Sequence, residues 1–120
     1  MTAYPGEIFV FGSNLAGRHG AGAALAARQN YGAILGRGSG LMGQSYAIPT
    51  KDHNLRTLDL PHIRSYVTLF IEFTHRHPEL AFYITPVGCG LAGYDRQRIW
   101  PAFLGVGENC RFADTWWSER

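Results

Sequence analysis

The chain reads as an α/β domain: a compact three-layer α/β/α arrangement with a mixed, mostly parallel sheet and helices on both of its faces. Three observations predict this. Short apolar runs of strand character alternate with segments of helical spacing, the pattern of successive βαβ units. The order along the chain is strand, glycine loop, helix, strand, helix, strand, glycine loop, helix, and right-handed crossovers turn that order into a sheet between helix layers. Hydrophobic residues make up 46% and charged residues 17% of the 120 positions, enough apolar surface for one core and far from the composition of a disordered chain. One domain over residues 1–120 is therefore expected.

Each element has a local reason. "EIFVFG", Glu7 to Gly12, is a short apolar run that suits a strand buried on both faces. From Gly22, "GAALAARQNYG" supplies strong helix formers and stops at Gly32, where a glycine C-cap is expected. "AILGRGSGLMG", Ala33 to Gly43, carries glycines without periodicity and reads as a mobile surface loop. Tyr46 to Ile48 form a second strand that Pro49 must end or relegate to an edge, so Thr50, Lys51 and Asp52 emerge at its end. Asp59 is placed as an N-cap, Pro61 lies in the first turn, and Pro78 closes the helix whose inward stripe is Ile63, Val67, Phe70, Ile71 and Thr74. Leu80 to Thr85 form a third strand that runs into "GCGLAGYD". "RQRIWPAFLG" follows as a short helix interrupted by Pro101, and "CRFADTWW" as a last strand or apolar tail.

Several function classes are disfavoured. A net charge of +2 with no run of adjacent basic residues argues against duplex DNA or an anionic membrane as the main partner. No stretch approaches the roughly twenty apolar residues that span a bilayer, and no leader pattern opens "MTAYPGEIFVFG", so a cytoplasmic location is expected. Cys89 and Cys110 are too far apart for a C-x-x-C pair, and His62, His75 and His77 lack a zinc-binding spacing, so neither metal nor cofactor is expected.

In a parallel sheet ligands sit beyond the carboxyl ends of the strands, where "GSNLAGRHGAG", "PTKD" and "GCGLAGYD" would meet. A glycine-rich turn feeding a helix offers unpaired N–H groups and the positive end of the helix dipole, a natural seat for a phosphate or diphosphate. "GSNLAGRH" has Arg18 and His19 where a nucleoside triphosphatase needs lysine and a hydroxyl, and "GAGAAL" has Leu25 where a dinucleotide fingerprint needs a third small residue. Lys51 is the chain's one lysine; the other ten of its eleven basic residues are arginine. An amine beside arginines or partly desolvated can act as nucleophile or base, which a guanidinium cannot; an exposed loop lysine is the plain alternative. Asp95 and Asp52 could activate a water or pair with Lys51, and Asp95 equally suits a helix N-cap. Cys89 could be a thiolate nucleophile or a small buried residue, and His19 a phosphate contact or a solvated side chain. Asn14 could read a ribose hydroxyl or bridge its own turn.

Taken together, these residues resemble the macro domain family of ADP-ribose-binding modules and ADP-ribosyl hydrolases, over roughly Ile8 to Phe103. "FGSN" with "GAGAA" is similar to that family's first loop and glycine stretch, and "ITPVGCGLAGY" to its strand and second glycine loop. The resemblance implies ADP-ribose, or ADP-ribosylated protein or nucleic acid, as partner. It puts Asn14 at the distal ribose, Gly12, Ser13, His19, Gly20, Ala21 and Gly22 at the ligand along the first loop, and Thr50 among the ligand-binding residues. Gly88, Cys89, Gly90, Leu91, Ala92, Gly93 and Tyr94 would form a clamp over the diphosphate. "YAIPTKD" and "GCGL" look most similar to a branch that removes ADP-ribose with a lysine and an aspartate, which implies catalytic roles for Lys51, Asp95 and Asn14. In that branch the acid directly follows "GCGL", where Ala92 stands here, and Asp95 is the nearest acid. The family's adenine-contacting "GD" ahead of Ile8 is missing, and Phe112, Trp116 or Trp117 could stack the adenine instead. Two other readings stay open. One is a reader that binds ADP-ribose without turnover, and the other is a nucleic-acid or protein adaptor using Arg18, Arg37 and the C-terminal tryptophans.

Overall fold

The computed structural model describes residues 3–117. Its central element is β1, Glu7–Asn14, in which Ile8 to Phe11 are almost wholly buried. α1 (Gly22–Asn30) follows, then β2 (Gly40–Met42), β3 (Ser45–Lys51) and α2 (Leu60–Arg76). β4 (Ala81–Ile84), α3 (Arg96–Ile99), a 3-10 turn at Trp100–Phe103, β5 (Cys110–Phe112) and a 3-10 turn at Asp114–Trp116 complete the chain. The sheet order is β2-β3-β1-β4-β5. β1 pairs in parallel with β3 and with β4, β4 pairs in parallel with β5, and only β2 runs antiparallel.

Register separates the two faces. Phe9 lies beside Ser45 and Tyr83, whereas Val10 lies beside Tyr46 and Ile84, and alternate residues of a strand point to opposite sides. On one face Phe9 stacks on Tyr31, the C-cap of α1, with ring centroids 4.3 Å apart, and the alanine-rich α1 lets that helix lie close. On the other face Phe70 of α2 meets Tyr46 at 4.9 Å and Phe82 at 5.4 Å. The cap expected at Asp59 holds, its side chain accepting from the His62 amide at 3.1 Å, whereas the C-cap of α1 is Tyr31 and Gly32 follows it at positive φ. Ile63, Val67, Phe70 and Thr74 of the expected stripe are buried, and Ile71 is partly so.

One expectation needs correction. Residues 33–43 are not a free loop. They include β2, and Ser13 Oγ donates to the Gly38 carbonyl while the Gly36 amide donates to Gly17. Gly38 is obligatory there, since a Cβ would fall 1.9 Å from the Asn14 carbonyl oxygen. Pro49 takes the second of its two expected places. β3 runs through it to Lys51, but β2 covers β3 only as far as Ala47 and the contacts of Thr57 and Leu58 begin at Thr50, so Pro49 lies on an uncovered stretch of edge where a residue without an N–H is tolerated.

Candidate functional site

Because β1, β3, β4 and β5 are all parallel, their carboxyl ends share one rim, and a cleft of about 1280 Å³ opens along it. Gly12, Ser13 and Asn14 line it from β1, Ala21 and Gly22 from the start of α1, and Thr50 and Lys51 from β3. Gly88 to Ala92, Tyr94 and Asp95 line it from the segment after β4. The three loops singled out from the sequence therefore meet at one place. Gly20 and Gly93 belong to the same loops without lining the cleft.

The amides of these loops are available. α1, with Ala21 as its N-cap residue, has no side-chain cap and no acidic residue in its first turn, so its own first turn leaves its N-terminus unneutralised. Among the described residues no acceptor meets the N–H groups of Ala21, Gly22, Ala23 and Ala24, nor those of Gly88, Gly90, Leu91 and Ala92. All of them line the cleft. The end of β1, from which the first loop leaves, lies close to the loop after β4, since a Cβ on Gly12 would fall 3.1 Å from the Gly88 nitrogen. Unpaired donors on both sides of one gap suit an anion with several oxygens.

The loop after β4 is tied across the rim. Tyr94 Oη donates to the Leu58 carbonyl at 2.7 Å, and Thr57 Oγ1 donates to the Ala92 carbonyl at 3.2 Å. Thr57 also bridges Lys51 backbone to backbone. Ala92 is thus brought beside the β3 end although it leaves from β4.

The side chains are arranged as follows. Lys51 is half-buried, pairs with Asn14 in register, and has no ion-pair partner among the described residues. Asp95 takes the N-cap position of α3, but its carboxylate makes no capping bond. Asp52 does not line the cleft. It accepts from the Arg56 and Asn54 amides, and the Arg56 amide foremost holds its carboxyl below the usual range. Asn14 bridges its own loop, with Nδ2 donating to the Arg18 carbonyl at 2.8 Å and Oδ1 accepting from the Arg18 amide at 2.9 Å. Cys89 is a half-buried thiol whose pKa burial pushes up to about 11.

His19, expected either at the ligand or in solvent, is in neither place. Its side chain is wholly buried behind the loop, with Nε2 2.9 Å from the Arg37 carbonyl and 3.0 Å from that of Ile34. Both neighbours are acceptors, so Nε2 carries the hydrogen, and the ring pins the first loop to residues 34–37.

Among solved structures, the macrodomain of Mycobacterium tuberculosis DarG matches with a TM-score of 0.60 and 21% identity, over 89% of this chain and 88% of that chain. The chain has a macrodomain fold. No family model and no curated protein matches the sequence.

Within this macrodomain fold, sequence reasoning missed part of the lining. Arg18, Thr85, Arg96, Gln97, Trp100 and Thr115 also face the cleft. Trp100 gave no signal because it follows a four-residue helix and its cleft position depends on how that helix docks. Trp116 and Trp117, suggested as stacking residues, do line the cleft, whereas Phe112 packs behind them with its ring centroid 6.0 Å from that of Trp116. Among the described residues no group of His, Cys, Asp or Glu could hold a metal, and no helix is long and apolar enough to cross a membrane.

Proposed function

We propose that this cleft binds ADP-ribose, free or attached to protein or nucleic acid, and hydrolyses the bond between the distal ribose and its acceptor. The observation that carries this reading is the pair of unbonded amide sets flanking one gap, with Lys51 at its β3 end. The diphosphate accepts from the amides at the start of α1 and from Gly88, Gly90, Leu91 and Ala92. Held there, the ligand presents its distal ribose to Asn14 and Lys51, and binding energy from the diphosphate goes into that alignment.

Hydrolysis breaks the bond from the anomeric carbon to the acceptor atom. The water oxygen joins that carbon, and the released acceptor takes a proton. Lys51 acts at the ribose, and the uncapped Asp95 carboxylate is the base that receives the water proton. Ala92, in place of an acid directly after "GCGL", favours one second reading, a binder without turnover.

The test combines binding with release. Calorimetry with ADP-ribose is expected to show a saturable site in the wild type and in Lys51→Ala. Release of ADP-ribose from ADP-ribosylated protein and from ADP-ribosylated DNA is expected to slow by about 100-fold or more in Lys51→Ala. Equal release by both proteins removes Lys51 from the reaction, binding without release selects the reader, and no binding removes the assignment altogether.

A further inference from the structure

A second hollow lies outside the cleft, in the seam between α2 and the segment 97–102. It encloses about 410 Å³ and is walled by Leu60 and Arg64 of α2 and by Gln97, Arg98, Pro101 and Ala102. Leu60 and Arg64 are four residues apart and so share one face of their helix. Pro101 sits where α3 tightens into the 3-10 turn, which brings Pro101 and Ala102 to the seam beside Gln97 and Arg98. Behind the seam Phe70 packs edge-on against Phe103 with ring centroids 6.1 Å apart, and both rings are wholly buried. The two walls are therefore held together by the core.

The charge of this hollow is one-sided. Arg64 and Arg98 are both exposed, and neither guanidinium has a hydrogen-bond, ion-pair or ring partner among the described residues. No carboxylate among the described residues lines it. The nearest acids in sequence are directed elsewhere: Asp59 meets the amide and the ring of His62, and Asp95 lines the cleft. Two guanidiniums at one depression repel each other, and an anion between them would relieve that repulsion. Each offers a planar fork of N–H donors that matches phosphoryl oxygens, and two of them balance a dianion. Leu60, Pro101 and Ala102 add an apolar floor that a bare ion would leave wet and an organic group would cover. The volume suits a small molecule.

We infer that this seam is a second ligand site, separate from the cleft, which takes an organic phosphate monoester. The phosphoryl group lies between Arg64 and Arg98, and the organic part rests on Leu60, Pro101 and Ala102. A free phosphate ester and a phosphorylated side chain of a protein carry this same chemistry.

Amide-resolved NMR titration of the whole chain tests the site, with phenyl phosphate, inorganic phosphate and an alanine-flanked phosphotyrosine peptide as probes. Phenyl phosphate is expected to shift the amides of Leu60, Arg64, Gln97, Arg98 and Ala102 saturably, and to bind about 5- to 10-fold more tightly than inorganic phosphate. Arg64→Gln and Arg98→Gln are each expected to weaken it by about 5- to 20-fold. Both side chains are exposed and unpaired, so the variants should melt with the wild type. A peptide bound at these amides more tightly than phenyl phosphate assigns a phosphorylated protein as the source, and one bound no more tightly assigns a free ester. Shifts confined to the cleft amides of Ala21 to Ala24, or unchanged affinity in both variants, overturn the site. Equal affinity for inorganic phosphate overturns the organic half of the assignment. ADP-ribose is read separately at the cleft amides, so either site can fail alone.

Discussion

Burial keeps both thiols of this chain protonated at neutral pH. Cys89 faces the cleft between two glycines, but desolvation pushes its pKa up to about 11 against a smaller opposing pull from Arg96. Cys110, beneath the Thr74 turn, is pushed by the same cause to about 12. Iodoacetamide at pH 8 should therefore label native protein slowly and urea-unfolded protein fast, as mass spectrometry of quenched samples would show. The sign for stability follows. A raised folded value favours the folded state fully below the unfolded value of 9.0, and that contribution is lost as pH climbs through about 11, so alkaline unfolding should set in over this interval. The neighbouring positions show what single residues reveal. Lys51 stands out in the sequence because no other lysine competes with it, and it does line the cleft. Asn14 could not be resolved from sequence, since an amide serves a ribose or its own turn equally well until the loop's path is known. His19 was unreadable for the same reason: a polar residue in a glycine loop gives no sign of being enclosed by a second loop fifteen residues on.

At the level of elements, the caps and periodicities were legible because they are local. Asp59, Pro61 and the stripe on α2 act within a turn or two of themselves. Residues 33–43 were misread because their order comes from contacts with β1 and the first loop rather than from internal periodicity. Gly38→Ala checks this. Its methyl would collide with the Asn14 carbonyl, and the variant should lose about 1–3 kcal/mol in urea unfolding, with the ends of β1 and β3 disturbed. A mobile loop would tolerate the change. The loop after β4 is likewise defined by distant partners. Removing the Tyr94 hydroxyl in Tyr94→Phe leaves the Leu58 carbonyl unbonded and should cost about 1 kcal/mol in stability. It should also weaken ADP-ribose binding measured by calorimetry, because the loop's amides lose one of their two anchors.

The whole molecule is closed by a contact between its first strand and its last. Arg111 on β5 makes paired bonds to Glu7 on β1, at 2.7 and 3.0 Å across 104 residues, and its guanidinium lies 3.9 Å from the Tyr4 ring centroid and 4.4 Å from that of Tyr83. The Arg111 hydrogen bond holds the Glu7 carboxyl below its ordinary value of 4.5. A lowered carboxylate stabilises the fold above its unfolded value and loses that effect as pH falls through the lowered one. Glu7→Gln should therefore be less stable than wild type at pH 7, by about 1–3 kcal/mol, with the gap narrowing below pH 4.5 in thermal melts across pH. Equal gaps at both ends of the range would show that the pair adds nothing specific.

By itself the sequence determined the alternation of strands and helices, their caps, and the glycine-rich character of the loops, because propensity, periodicity and backbone freedom are properties of neighbouring residues. The macro-like character was legible only as a resemblance carried by those loops. Only the tertiary structure decided that β2 exists, that His19 is enclosed, that Ala92 reaches the β3 end, and that Trp100 joins the tryptophans at the far end of the cleft. Those outcomes depend on which strands become neighbours. Strand order is set by packing between residues far apart in the chain, and no local pattern records it.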